Sequence, residues 1–198
     1  MKLFHLVICS LLFLELSAQF HPNGDADQID DECYQMTSNE PDQTGTMWHN
    51  PKIDLKEAFD TTVQVFLGCE DLNGGDGIVF AFQAAGLSLG NYNGHLAYAF
   101  LSPTLAVEID TYQNPEYNDP NFDHIAIIRD GINDHQSPEN LAGPVPADPS
   151  SANIEDCQYH DFRISWNPDG EELNIYWNCE FRIGYSGGVI NGIFNGNS

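Results

Sequence analysis

The chain has 198 residues, 41% of them apolar, enough for one domain with a sizeable core and little beyond it. Acidic residues number 30 against 6 basic ones, a formal charge of −24, which excludes a nucleic-acid partner because such binding rests on Lys and Arg meeting phosphates. The same excess keeps an exported surface solvated and supplies carboxylates able to hold hard cations.

The N-terminus opens Met1-Lys2, runs apolar from Leu3 to Leu16 and closes on the small pair Ser17-Ala18, the pattern of a secretory signal peptide over residues 1–18. Glu15 interrupts the run, which is also shorter than the ~20 residues that span a bilayer, so secretion into the extracellular space is expected and membrane insertion is not. Residues 19–32 are polar, acidic and aperiodic, and read as a flexible leader; the folded domain is expected over 33–198. Of five cysteines, Cys9 falls in the signal. Cys33, Cys69, Cys157 and Cys179 remain for a compartment that permits oxidation, enough for two disulfides with all three pairings open. No Cys-x-x-Cys spacing suggests a zinc or redox motif.

Beyond Cys33, segments rich in β-branched and aromatic residues recur between Gly, Pro, Asn and Asp: Thr62 to Leu67, Ile78 to Gln83, Leu105 to Thr111, His124 to Arg129, Phe162 to Trp166 and Leu173 to Tyr185. These are predicted strands. Phe162, Ile164 and Trp166 alternate with Arg163, Ser165 and Asn167, the period of a strand with one buried face. Asn167-Pro168-Asp169-Gly170 then supplies a turn, and Leu173, Ile175 and Trp177 resume the alternation, which predicts a hairpin. Only Ile53 to Thr61 offers a helical stretch. The fold class is therefore all-β, a sandwich or jelly roll.

The segment from Ala106 to Ile127 carries the chemistry. On a strand, Glu108, Asp110 and Tyr112 share a face, so two carboxylates stand side by side among apolar neighbours. Such a pair repels itself unless a cation sits between. The following loop adds Asn114 and Asp119, and His124 opens the next apolar strand. Oxygens from Asp110, Asn114, Asp119 and a backbone carbonyl suit calcium, whereas Glu108, Asp110, Asp119 and His124 form a mixed oxygen and nitrogen set suited to a transition metal such as manganese. An EF-hand is excluded: counted from Asp110, the sixth position is not Gly and the twelfth is Asn121 rather than Glu.

Glu108 to His124 resembles the metal-binding loop of legume lectins and of their bacterial secreted L-type relatives, with each protein-ligand type in register. The resemblance implies a concanavalin A-like jelly-roll β-sandwich and calcium held by Asp110, the Tyr112 carbonyl, Asn114 and Asp119. It also implies Mn2+ or another transition metal held by Glu108, Asp110, Asp119 and His124. One departure stands out: where the family often has a Ser about ten residues after the histidine, reaching the transition metal through water, this chain has Asp134. Gly74-Gly75-Asp76-Gly77-Ile78-Val79-Phe80-Ala81-Phe82 is similar to the family strand that begins with Asp-Gly. That implies a cis peptide between Gly75 and Asp76 and a sugar-binding role for Asp76. Asn114 would join calcium through its oxygen and sugar through its NH₂, and Tyr112 would lay its ring on a pyranose face. A Gly-rich loop normally adds a backbone N–H; Ala85 to Gly90 occupies that place, with Leu87 where Gly is common, so Gly86 is the candidate.

Family members continue past the counterpart of Ser198 into another strand and a fourth, specificity-setting loop, so the resemblance implies a fragment of a larger parent polypeptide or a domain truncated at its C-terminus. His160, Trp48, Trp166 and Trp177 are expected to be structural. The function expected is calcium-dependent, non-catalytic binding of glycans or glycoconjugates, with homo-oligomers or a longer polypeptide gathering several weak sites. Two rivals remain. A jelly-roll glycoside hydrolase would follow Glu-x-Asp with a second acid within a few residues, and Thr111-Tyr112-Gln113 supplies none. A calcium-stabilised structural or adhesion module would order the same loop without binding sugar.

Overall fold

In the computed structural model, residues 19–71, 73–90 and 95–196 are described; the expected signal peptide lies outside them. Twelve strands are present among the described residues: β1 (Gln19–Gly24), β2 (Asp27–Gln28), β3 (Tyr34–Gln35), β4 (Gly45–Asn50), β5 (Phe59–Phe66), β6 (Gly77–Gln83), β7 (Thr104–Asp110), β8 (His124–Arg129), β9 (Asn140–Pro146), β10 (Tyr159–Asn167), β11 (Glu172–Trp177) and β12 (Glu180–Ser186). Two four-stranded antiparallel sheets, ordered β12-β11-β10-β5 and β6-β7-β8-β9, form the sandwich. Two small ribbons, β1-β4 and β2-β3, accompany them.

The core follows from alternation. On β10, burial switches at every residue from His160 to Trp166, and β11 repeats the pattern with Leu173, Ile175 and Trp177 inward. Facing them are Leu105, Val107 and Ile109 of β7 with Ile125 and Ile127 of β8, joined by Val189, Ile193 and Phe194 from the C-terminal segment. The Trp166 indole donates to the Leu55 carbonyl at 2.8 Å, so its polar edge is satisfied inside the core.

The predicted 162–177 hairpin forms, with Phe162 opposite Trp177 and Asn167 opposite Glu172. The single run from Leu173 to Tyr185 is two strands. Asn178 and Cys179 both adopt left-handed backbone, φ 48° and 68°, and turn the chain as a two-residue hairpin loop without the glycine that usually signals one. β9 escaped notice because Gly143, Pro144 and Pro146 read as breakers, yet it lies at a sheet edge where a missing N–H is tolerated, and its pairing with β8 shifts register twice. The helical expectation at Ile53 to Thr61 fails: the residues before Phe59 form turns, and from Phe59 the chain is strand β5.

The leader expected to be flexible over 19–32 is instead organised. Gln19–Gly24 pairs along its whole length with β4, and Phe20 packs edge-on to Tyr34 with ring centroids 5.4 Å apart. Asn23 and Trp48 donate side-chain hydrogen bonds to the carbonyls of Leu87 and Leu89, so the first ribbon braces the loop after β6. One disulfide joins Cys69 to Cys157, while Cys33 and Cys179 are free and exposed. The expected second disulfide does not form.

Candidate functional site

Strand β7 is buried on both faces from Thr104 to Asp110. Leu105, Val107 and Ile109 enter the sandwich, which turns Ala106, Glu108 and Asp110 to the opposite face. Register then assembles the site. Asp110 stands opposite His124 on β8 and opposite Gly77 on β6, so the sequence-distant motif around Asp76 arrives beside the carboxylates. Gly77 has φ 126°, and a Cβ there would sit 2.1 Å from the Ile109 carbonyl oxygen; glycine after Asp76 is required by this approach of two backbones.

The cluster contains more than the sequence suggested. Glu108 and His124 are each 1% exposed. Glu108 Oε2 accepts hydrogen bonds from the Tyr98 hydroxyl at 2.8 Å and from Asn133 Nδ2 at 3.1 Å. Its Oε1 faces two imidazoles, with Nε2 of His124 and of His135 each 3.7 Å away. Asp110, Asp119 and His124 form a second group whose ligand atoms lie within 4.8 Å of one another, as do those of Glu108, His124 and His135. Glu108, Asp110, Asp119 and His124 are thus brought together. Asp134, at the place of the family Ser, turns away: its Oδ1 accepts from Asn118 Nδ2 at 2.6 Å and from the Gln136 amide at 2.9 Å.

Electrostatics expresses the crowding. Burial, reinforced by the Glu108 charge, pushes the Asp110 carboxyl up to about 8. Burial likewise raises Asp119. For His124, burial acts downward but the Glu108, Asp110 and Asp119 carboxylates outweigh it and raise the ring. His135 falls below the ordinary histidine range because burial dominates. At about 8, the Asp110 carboxyl holds its proton at neutral pH unless a cation shares the cluster. The donor set fits a metal: buried carboxylate oxygens and imidazole nitrogens converge on one locus, and hard oxygens lie along the adjoining loop.

That loop is held by its own hydrogen bonds. Asp110 Oδ1 accepts the Tyr112 amide at 2.8 Å, Asp119 Oδ2 accepts the Asn114 amide at 2.6 Å, and Pro115–Tyr117 forms a 3₁₀ turn closed by Asn118 at φ 63°. Asn114 caps the turn without using its side chain as the cap. Tyr112 is 46% exposed, with its ring root packed on Gly75, where a Cβ would lie 3.0 Å from the Tyr112 Cβ. The Gly75–Asp76 peptide is cis, and the Asp76 carbonyl accepts the Thr111 amide at 3.0 Å. Asp76, Tyr112 and Asn114 therefore lie on neighbouring loops at one end of the sheet.

Gly86 does not join them. β6 and β7 are antiparallel, with Gly77 at the Asp110 end and Gln83 at the Thr104 end, so Gly86 follows the far end of a strand that is roughly 20 Å long at ~3.3 Å per residue. Its amide is also engaged, donating to Gln83 Oε1 at 3.0 Å. The chain returns to the cluster later, at Tyr98; residues 91–94 lie outside the described residues. Tyr98, Asn133 and His135 join the cluster beyond the residues expected from the sequence. For Tyr98 and Asn133 no local signal exists, whereas His135, eleven residues after His124 and just past the next apolar strand, was a legible second imidazole overshadowed by its neighbour Asp134.

Apposed antiparallel sheets with a buried carboxylate and imidazole cluster at one end define the jelly-roll sandwich of the legume lectins. The model of the legume lectin β-barrel domain, of L-type lectins, matches residues 14–197, and the chain belongs to this family. Among solved structures, a metal-free form of lectin I-B4 from Griffonia simplicifolia is similar with TM-score 0.66 at 18% identity over 93% of this chain and 84% of that one. Lectin II from Ulex europaeus gives 0.60 at 20% over 85% and 76%. The exoplasmic/lumenal domain of VIP36, bound to Ca2+ and Man3GlcNAc, gives 0.64 at 17% over 85% and 71%. These likenesses show the fold, and family membership supports carbohydrate binding as the activity of the domain.

Proposed function

We propose that the protein is an exported, calcium-dependent and non-catalytic glycan-binding domain. One observation carries the reading: Asp76, preceded by its cis peptide, lies against the Tyr112 to Asn114 loop beside the acidic cluster. Calcium would be held by Asp110, the Tyr112 carbonyl, Asn114 and Asp119, and a transition metal by Glu108, Asp110, Asp119 and His124. Bound there, cations would offset the charge of these carboxylates and hold Tyr112 to Asn114 in place. Asp76 would then accept from sugar hydroxyls, Asn114 would donate through its NH₂, and the exposed Tyr112 ring would offer an apolar wall. The disulfide supports an oxidising compartment, in keeping with export directed by residues 1–18.

A hydrolase is disfavoured because Glu108 is buried with one oxygen occupied by Tyr98 and Asn133, leaving no pair of open carboxylates to flank a glycosidic bond. The structural-module reading is favoured by one fact, that Gly86 supplies no amide to the site. The test is a glycan array probed with residues 19–198 in calcium and manganese, again after chelation, and with Asp76→Asn. Metal-dependent binding to a defined glycan set, weakened about tenfold or more in the variant, is expected. Silence from folded, metal-loaded protein on every glycan would reject sugar binding in favour of the structural module.

A further inference from the structure

We propose that His135 is a direct ligand of the transition-metal site, giving it two imidazoles and a preference for zinc over manganese. His135 stands on the loop after β8, and its side chain is 3% exposed. Its backbone amide donates to the Tyr117 carbonyl at 3.0 Å, and its neighbours Asp134 and Gln136 clasp Asn118 at 2.6 and 2.8 Å, so the loop is fastened to the acidic loop at three successive residues. The ring is thereby aimed into the cluster. Its Nε2 lies 2.8 Å from His124 Nε2, 3.4 Å from Asp119 Oδ1 and 3.7 Å from Glu108 Oε1.

A hydrogen bond between the two imidazoles accounts for the first of these distances only. It does not account for two carboxylate oxygens spaced around the same nitrogen, beyond direct hydrogen bonding. Ligand atoms about 2.1 Å from a common ion are separated by roughly 3.0 Å along an octahedral edge and 3.4 Å along a tetrahedral one, and the observed 2.8, 3.4 and 3.7 Å bracket these values. The far side of the ring agrees. His135 Nδ1 is buried with no hydrogen-bond partner, so the close polar contacts of the ring are made through Nε2, on the cluster side. Asn140 is fixed by donating to the carbonyls of His135 and Gly143.

Selectivity follows from donor type. One imidazole among carboxylates suits manganese; a second nitrogen favours the later, softer ions, and zinc among them tolerates a closed, irregular shell. Only one premise is shared with the proposed function, that a transition metal occupies this cluster, and no sugar need bind.

The experiment is competitive metal binding to the purified chain, after chelation and re-addition of calcium, with zinc and manganese as probes, for wild type and His135→Ser. Wild type is expected to hold zinc about 100-fold or more tighter than manganese, and His135→Ser to lose most of that margin while its manganese affinity changes little. Copper-loaded wild type gives a reading independent of any variant: its electron paramagnetic resonance spectrum should show coupling to two nitrogens. Coupling to one nitrogen, or equal zinc-to-manganese ratios in both proteins, would overturn the assignment. Absence of any transition-metal binding alongside intact calcium-dependent glycan binding would overturn it while leaving the lectin reading in place.

Discussion

Strand β7 carries two buried faces that obey different rules. Leu105, Val107 and Ile109 on one side and Ala106, Glu108 and Asp110 on the other are all 5% exposed or less, yet the first face is apolar and the second holds two carboxylates two residues apart. Burial stabilises the first unconditionally, at about 25 cal/mol per Å² removed from water. It penalises the second, pushing Asp110 up to about 8, until a cation enters. One strand thus supplies both the permanent framework and the conditional part of the molecule.

The largest effects should separate these faces. Ile109→Ala removes core volume and is expected to cost about 2–5 kcal/mol, by the same amount with calcium and with chelator, in denaturant melts. Asp110→Asn should act oppositely in the two conditions. In chelator it removes a carboxyl that burial forces to stay protonated, and a gain of about 1–3 kcal/mol is expected. With calcium and manganese present, the metal-induced rise in stability expected of wild type should vanish. If Asp110→Asn and Ile109→Ala shift stability alike in both conditions, the second face is ordinary core and no cation resides there.

How far each face was legible follows from the same contrast. Alternation is a local property, so β10, β11 and the inward residues of β7 and β8 could be read from spacing alone. The carboxylate pair was legible because charge inside an apolar strand breaks the pattern. β9 and the Asn178-Cys179 turn were not, since edge position and left-handed backbone leave no apolar rhythm or glycine to mark them. β1 reads as leader in the sequence because it pairs into a small ribbon outside the core and carries no apolar alternation. Gly86 differs from its expected place for a related reason: a glycine-rich stretch declares flexibility, while only the register of β6 against β7 tells which end of the sheet it serves. His135 and Tyr98 reach the cluster through tertiary placement of loops, which no spacing within either loop encodes.

A smaller, purely acid–base effect should come from Glu155, which lies outside the metal cluster. It is 4% exposed. Burial first, then the Asp123 and Asp71 charges, push its carboxyl from 4.5 up to about 7, against a hydrogen bond from Thr111. The folded chain therefore binds this proton more tightly than the unfolded chain, and stability falls as pH rises from about 4.5 through about 7, with the penalty complete above that. Glu155→Gln should remove it. Allowing for solvent screening, the variant is expected to gain about 1–2 kcal/mol at pH 8 and almost nothing at pH 4, read from melts at both pH values. A gain of equal size at both would mean packing, and not ionisation, is responsible.

The smallest change in stability, and the most selective in function, is expected at Tyr112. Its ring is nearly half exposed, and it rests on Gly75. Truncation to Ala leaves the Tyr112 amide on Asp110 Oδ1 and the carbonyl free to meet calcium, so the metal-dependent part of stability should shift by less than about 0.5 kcal/mol. Glycan affinity should nevertheless fall by roughly 1–2 kcal/mol, about 5- to 30-fold, because the apolar wall is gone. Calcium titration and glycan binding on the same preparation distinguish the cases. Were both to fail together, Tyr112 would hold the loop and not the sugar, and the conditional face of β7 would extend one residue pair further than its buried carboxylates.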